Sequence, residues 1–213
     1  EIYIGVVGPV RTGKSTFIKR FMELLVLPAM EDENLRNLSR DELPQSAAGK
    51  TIMTTEPKFI PKEAARINLA DGIEAKVRVI DCVGFMVDGA AGHVENGEER
   101  LVKTPWFDYD IPFTQAAEIG TRKVINDHST IGIVVTTDGT IGEIKRPGYI
   151  AAEKQTIDEL KKLGKPFVVL LNSTKPYSDE TARLAREMSE SYGVSVLPVN
   201  CEQLKKEDIF HIL

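Results

Sequence analysis

The run Gly8-Pro9-Val10-Arg11-Thr12-Gly13-Lys14-Ser15-Thr16 follows its second glycine with a lysine and a hydroxyl residue, the pattern G-x-x-x-x-G-K-[ST]. Residues of these types at this spacing suit the cradling of phosphates. Glycines let the backbone close tightly around an anion. Successive N–H groups, and the start of the helix that follows, bring partial positive charge to it. Lys14 is expected to reach the β- and γ-phosphates of a nucleoside triphosphate, and the Ser15 hydroxyl to ligate Mg²⁺. The flanks agree with this. Ile2 to Val7 reads as a buried strand, and Phe17 to Leu27 as a helix that Pro28 stops. An ordinary glycine turn with a surface lysine would require neither flank.

Two further stretches fit the same chemistry. Val77-Arg78-Val79-Ile80 runs into Asp81-Cys82-Val83-Gly84, an aspartate at the carboxyl end of an apolar strand. The Asp81 carboxylate is expected to hold Mg²⁺ through water, and the Gly84 N–H to meet the γ-phosphate. Between this and the first motif lies Thr51-Ile52-Met53-Thr54-Thr55, placed where a switch segment completes the metal shell. Thr54 and Thr55 are therefore catalytic candidates, and Thr55 joins Ser15 and Asp81 as a metal candidate. A strand edge would equally favour threonine. Phe85 stands where many related sites carry the glutamine that orients the attacking water. A phenyl ring cannot do so, and slow hydrolysis, or help from Thr54, Thr55 or a neighbouring molecule, is expected.

Base choice is read from Asn172-Ser173-Thr174-Lys175. Guanine readers place Asn-Lys-x-Asp here, the aspartate accepting from the guanine edge. Asn172 is present as a base-site candidate. Lys175, also a candidate, occupies the aspartate position with donors only. Guanine readout is lost, while a lysine facing the N1 acceptor of adenine is tolerated without amounting to positive recognition of that base.

These residues need a particular scaffold. Asp71-Gly72 between Ala65 to Ala70 and Ile73 to Ile80 marks a hairpin. The remainder alternates: helix Phe113 to Asp127, strand Thr130 to Thr137, helix Tyr149 to Leu163, strand Pro166 to Asn172, helix Ser178 to Tyr192, strand Val194 to Val199. The expected fold is α/β, a P-loop NTPase of the GTPase-like (TRAFAC) type. It has a mostly parallel sheet with one antiparallel hairpin strand and helices on both faces. Such sheets bind ligands at the carboxyl ends of their strands, where Asp138 also falls, either bordering the site or simply making a turn. A polar connection spans 28–50, and residues 86–114 read as a loop whose Trp106, Phe107 and Tyr109 form either a partner patch or a local anchor. His93, within it, is expected in solvent.

Composition sets bounds. The 213 residues suit one P-loop domain, 1–213, and the chain reads as an excised domain or the front of a longer protein. Net charge is −5, without a basic stripe for nucleic acid. No apolar run approaches a membrane span. Cys82 and Cys201, the only cysteines, read as buried free thiols.

Beyond these motifs the chain resembles the ATPase domain of the stage IV sporulation protein A family. The resemblance runs over essentially all residues. It is carried by Asp41-Glu42-Leu43-Pro44-Gln45-Ser46-Ala47-Ala48-Gly49-Lys50-Thr51 continuing to Pro57, Thr104-Pro105-Trp106, Ala117 to Lys123 and Thr136 to Gly142. It implies ATP hydrolysis with Mg²⁺, carried by Lys14, Thr54, Thr55 and Asp81. It further implies self-association into polymers at the cytoplasmic face of the forespore, as the base of the spore coat. Contacts with coat and forespore membrane-associated proteins would lie mostly in regions outside this chain. Two other readings remain beside it: a GTP-binding regulatory switch, which the acidic charge and Lys175 oppose, and an assembly module that binds nucleotide without hydrolysing it.

Overall fold

The apolar run that opens the chain forms strand β1 (Ile2–Val7) near the centre of a six-stranded sheet. The computed structural model describes residues 1–30, 33–41, 43, 58–68, 72–87, 94–95 and 97–212. Strands β2 (Lys58–Asn68) and β3 (Glu74–Asp81) follow β1, and β8 (Ile131–Thr137), β9 (Phe167–Asn172) and β10 (Val196–Val199) complete the sheet in the order β2, β3, β1, β8, β9, β10. Every neighbouring pair is parallel except β2 and β3. The architecture is therefore mixed α/β with a mostly parallel sheet.

The hairpin is longer than the sequence suggests. β2 starts at Lys58, and its pairing slips between Ile60 and Ala65. Pro61, which has no N–H to give, is accommodated in that slip on an edge strand. Of the turn residues only Gly72 is described.

Side-chain alternation sends Ile4, Val6, Ile133, Val135 and Leu170 to one face, and Val7, Val134, Val169 and Leu171 to the other. The first face packs on helix α1 (Lys14–Phe21), through Phe17, Ile18 and Phe21, and on α6 (Lys206–Ile212) through Ile209. The second is covered by α4 (Ile150–Leu163) and α5 (Asp179–Tyr192), through Ile157, Leu160, Ala185 and Met188. Val124 and Ile125, just beyond α3 (Phe113–Lys123), join them. Each fully buried side chain of this size contributes about 1.5–3 kcal/mol. Helices thus lie on both faces.

Two local readings are corrected. α1 begins at Lys14 and widens into a π turn, Met22–Val26, before a tight turn at Leu27–Ala29. Pro28 sits inside that turn, at its start, where its missing N–H costs nothing, and the chain becomes extended only at Met30. The polar connection that follows carries a short helix, α2 (Glu33–Asp41). The segment 86–114 is not a plain loop. It carries the small hairpin β4 (Val94–Glu95) with β5 (Glu98–Glu99), and a longer one, β6 (Leu101–Thr104) with β7 (Phe107–Pro112). The alternation Phe107, Tyr109, Ile111 against Asp108 and Asp110 was a strand signal hidden by the turn residues around it.

The aromatic residues there divide. Half-buried Trp106 takes the Lys123 ammonium over its ring at 5.6 Å, a local anchor. Phe107 and Tyr109 pair at 5.3 Å and remain exposed, Tyr109 at 65%. His93, Thr54, Thr55, Asp71 and the rest of 44–57 lie outside the described residues.

Candidate functional site

The carboxyl ends of β1 and β3 and the amino end of α1 meet at one point, and the loop Gly8 to Gly13 turns there. Inward packing fixes its shape. Val10 is buried in a cluster with Phe85, Phe113 and Tyr149, and its N–H donates to the Phe85 carbonyl (3.0 Å). The Thr12 hydroxyl, wholly buried, donates to the Pro9 carbonyl (3.0 Å). Val10 and Thr12 therefore shape the cradle from beneath, and the Val10 N–H is already used.

Space is severely limited at Gly84 and Gly13. Gly84 has φ 97, and a Cβ there would stand 2.0 Å from the Gly8 carbonyl oxygen and 2.9 Å from Lys14 Nζ. Gly13 has φ 99, and a Cβ there would meet Asn172 Nδ2 at 2.3 Å. Neither position tolerates a side chain without moving the loop. The motif D-x-x-G beside Asp81 is thus required by the closeness of two backbone segments.

Lys14 begins α1 with its side chain folded back under the loop. Nζ donates to the Pro9 carbonyl (2.6 Å) and more weakly to that of Gly8 (3.4 Å). Burial draws its pKa below the ordinary lysine range, and the neighbouring Arg11 charge adds to this against the pull of Asp81. Ser15 and Thr16, next on α1, are half-buried. Opposite, at the end of β3, Asp81 keeps part of its surface open while its Oδ1 is sealed from solvent and has no hydrogen-bond partner. Burial pushes its carboxyl up to about 6, against the attraction of Lys14.

A buried carboxylate oxygen without a partner at the end of β3, with a serine hydroxyl in the first turn of α1, fits Mg²⁺. This ion takes one or two carboxylates and completes its shell with water and substrate phosphates. Among the described residues no group of three or more His, Cys, Asp or Glu gathers to hold a metal by protein ligands alone. The residues that would hold Mg²⁺ here are Ser15 and Asp81.

The sign of the Asp81 shift gives a prediction. Its folded value, about 6, lies above the ordinary 3.8, so the folded protein binds the proton more tightly. In metal-free buffer this group costs nothing below pH 4. Its cost grows as pH rises and is complete above about 6, reaching roughly 2–3 kcal/mol. Melting curves in EDTA should show the parent losing stability between pH 4.5 and 7 relative to Asp81→Asn. Parallel pH dependence in the two proteins would contradict this.

The base-site candidates are placed unequally. Asn172 ends β9 almost wholly buried. Its Nδ2 donates to the Thr12 carbonyl (3.0 Å) and its Oδ1 accepts from the Cys201 N–H (3.0 Å). It clamps the phosphate loop to the turn after β10, a positioning role without a signature in the residue pattern. Lys175 has an exposed side chain, and its N–H donates to Ser173 Oγ (3.0 Å). Ser173, in the position where guanine readers carry lysine, is fully buried, 3.4 Å from both the Thr140 and the Thr181 hydroxyls. A lysine would not fit among them.

Asp138 makes the turn. Its Oδ1 accepts from the Thr140 N–H (3.0 Å) and hydroxyl (2.6 Å), and its Oδ2 from the Thr181 hydroxyl (3.3 Å). Burial would raise its pKa, but the donors from Ser173, Thr140 and Thr181 outweigh it and hold the carboxyl below its ordinary value.

Other contacts were not legible. The Tyr149 hydroxyl donates to the Arg11 carbonyl (3.1 Å), tying α4 to the phosphate loop. Behind it, wholly buried Glu153 receives both Arg146 Nη groups, the Thr136 hydroxyl and the Tyr192 hydroxyl. Cys82 and Cys201 are buried free thiols, raised by burial to about 11 and about 12, and so unreactive. No helix among the described residues is long and apolar enough to cross a membrane.

Comparison with known proteins bears on this geometry. The family model for the stage IV sporulation protein A ATPase domain matches residues 1–213. The chain is 54% identical over all 213 residues to proteins named stage IV sporulation protein A from Bacillus subtilis (strain 168), Bacillus anthracis and Clostridioides difficile (strain 630). It spans 43% of the length of each. A match that extends from the first residue to the last takes in the phosphate loop, the Asp81 strand end and the clamp at Asn172 together, and by it the chain belongs to the stage IV sporulation protein A ATPase-domain family.

Proposed function

We propose that this domain binds ATP with Mg²⁺ and hydrolyses it to ADP and phosphate. The observation that carries the reading is the pairing of a buried lysine, bonded only weakly to one loop carbonyl and closely to another, with a buried carboxylate oxygen that has no partner. Both wait for charge of the opposite kind. Residues 8–16 hold the phosphates, Lys14 neutralises them, and Ser15 and Asp81 hold the metal. The Gly84 N–H and the threonines Thr54 and Thr55 read the γ-phosphate. Mg²⁺, when bound, withdraws charge from the phosphates. Phe85 supports the view that position 85 does not orient the attacking water, because its ring is buried in the core.

The antiparallel β2 at the edge beside β3, together with the strand order, supports the GTPase-like (TRAFAC) branch. Adenine is the base favoured, since Lys175 offers no acceptor and the Asp138 oxygens accept from Thr140 and Thr181. In the cell, hydrolysis would drive self-assembly of the protein at the cytoplasmic surface of the forespore, as the base of the spore coat. The relatives' name supports a place in sporulation.

Phosphate release should depend on Mg²⁺ and ATP. Asp81→Asn should lower the rate at saturating ATP at least ~30-fold while changing nucleotide affinity less, because the lost charge stands behind the metal. Sedimentation of the full-length protein before and after turnover tests the assembly arm. Unchanged Mg²⁺ dependence in the variant would refute the metal role.

A further inference from the structure

Arg11 alone among the described non-glycine residues has a left-handed backbone, φ 61. A residue with a Cβ resists this conformation, and it persists only where the surroundings impose it, most often at working sites. Here the surroundings do impose it. On one side Val10 is fixed by its N–H bond to Phe85. On the other, the Thr12 carbonyl is held by Asn172, and Tyr149 holds the Arg11 carbonyl itself. Glycine would satisfy that backbone at no strain, and asparagine at little. The presence of arginine calls for a use of its side chain.

The surroundings also indicate which use. Arg11 is half-buried, and its charge acts on both Lys14 and Tyr149. The cradle thus concentrates two cations, with Asp81 as the carboxylate opposite. Phe85, at the position of a water-orienting side chain, is turned into the core. The site therefore has charge to offer a reaction, while Phe85 offers no hydrogen bond at the position of a water-orienting side chain.

We propose that Arg11 is a catalytic residue, an arginine finger built into the phosphate loop itself. In hydrolysis the water oxygen bonds to the γ-phosphorus and the bond to the β,γ-bridging oxygen breaks. The electron pair leaves on ADP, and the water proton passes to the phosphate product. The Arg11 guanidinium meets the negative charge that gathers on the bridging and γ-oxygens as that bond breaks. An arginine acting in this way typically contributes about 10³–10⁵ in rate. The proposal rests on the ATP hydrolysis reading above.

The test compares the parent with Arg11→Gly, which suits the left-handed backbone, and Arg11→Lys, which keeps the charge without the planar fork. Calorimetry in Mg²⁺ measures affinity for ADP alone and for ADP with aluminium fluoride, an analogue of the transferring phosphoryl group. Both variants are expected to bind ADP within ~3-fold of the parent and to lose at least ~100-fold of the tightening that aluminium fluoride confers, with turnover falling about 10³-fold. Arg11→Gly should melt no lower than the parent, and millimolar guanidinium should restore part of its turnover. Analogue tightening equal to the parent's, an equal loss of ADP affinity, or a lowered melting temperature in Arg11→Gly would each overturn the proposal. A parent that neither hydrolyses ATP nor tightens on the analogue would overturn the hydrolysis reading and this proposal with it. Failure in the variants alone leaves that reading standing.

Discussion

Lys14→Ala lowers affinity for ATP with Mg²⁺ by at least ~100-fold and leaves the melting temperature within a few degrees of the parent. The first half follows from charge. A buried ammonium that turns from the loop carbonyls to bound phosphate makes charge-assisted hydrogen bonds worth about 1.5–3 kcal/mol each, and tenfold in affinity corresponds to about 1.4 kcal/mol. The second half follows from a near balance. Burial of Lys14 is unfavourable to its charged form, so its removal relieves a cost. It also deprives Asp81 of a nearby cation, but that carboxyl already titrates at about 6 and can take up a proton. Calorimetric titration and a melting curve on the same preparation check both halves. Affinity retained within threefold would mean that the loop does not bind phosphate.

Glu153→Ala produces the opposite pattern, a large loss of stability at a residue that touches no nucleotide. Its carboxylate is wholly buried and accepts from Arg146, Thr136 and Tyr192. Truncation strands a guanidinium whose side chain is only 17% exposed. Breaking a buried ion pair from one side costs about 3–5 kcal/mol, which in a chain of this size lowers Tm by roughly 10 °C. Arg146 also donates to the Thr137 carbonyl at the end of β8 (3.1 Å), so the neighbouring Asp138 turn should loosen as well. Thermal melting and amide exchange over 136–146 measure these effects. A Tm change under 2 °C would show the network to be incidental.

The contrast between these residues explains what the sequence disclosed. The phosphate loop was legible because its chemistry demands fixed residue types at fixed spacing, with a strand before it and a helix after it. The sheet was legible from runs such as Ile131 to Val135 and Val168 to Leu171, each bounded by turn residues. The hairpin β6–β7 was not, because its alternation lies within a stretch dense in Gly, Asp and Glu. Glu153 looked like any polar residue of an amphipathic helix. Its partners stand 7, 17 and 39 residues away, and only the folded chain brings them together. Asn172 was recognised as a site residue, but its clamp on Thr12 and Cys201 depends on β9 and β10 being neighbours. Arg11 was counted among the cradle residues, whereas its left-handed backbone is visible only in three dimensions.

The central claim is that the cradle of Gly8 to Thr16, with Asp81, takes ATP as its nucleotide. Equilibrium competition tests it most directly: unlabelled ATP or GTP displaces a fluorescent ATP analogue from the parent protein in Mg²⁺, with an EDTA control. The account predicts displacement by ATP at least as tight as by GTP, and weakened binding of both in EDTA. Displacement by GTP at tenfold lower concentration than ATP, or by neither nucleotide, would contradict it.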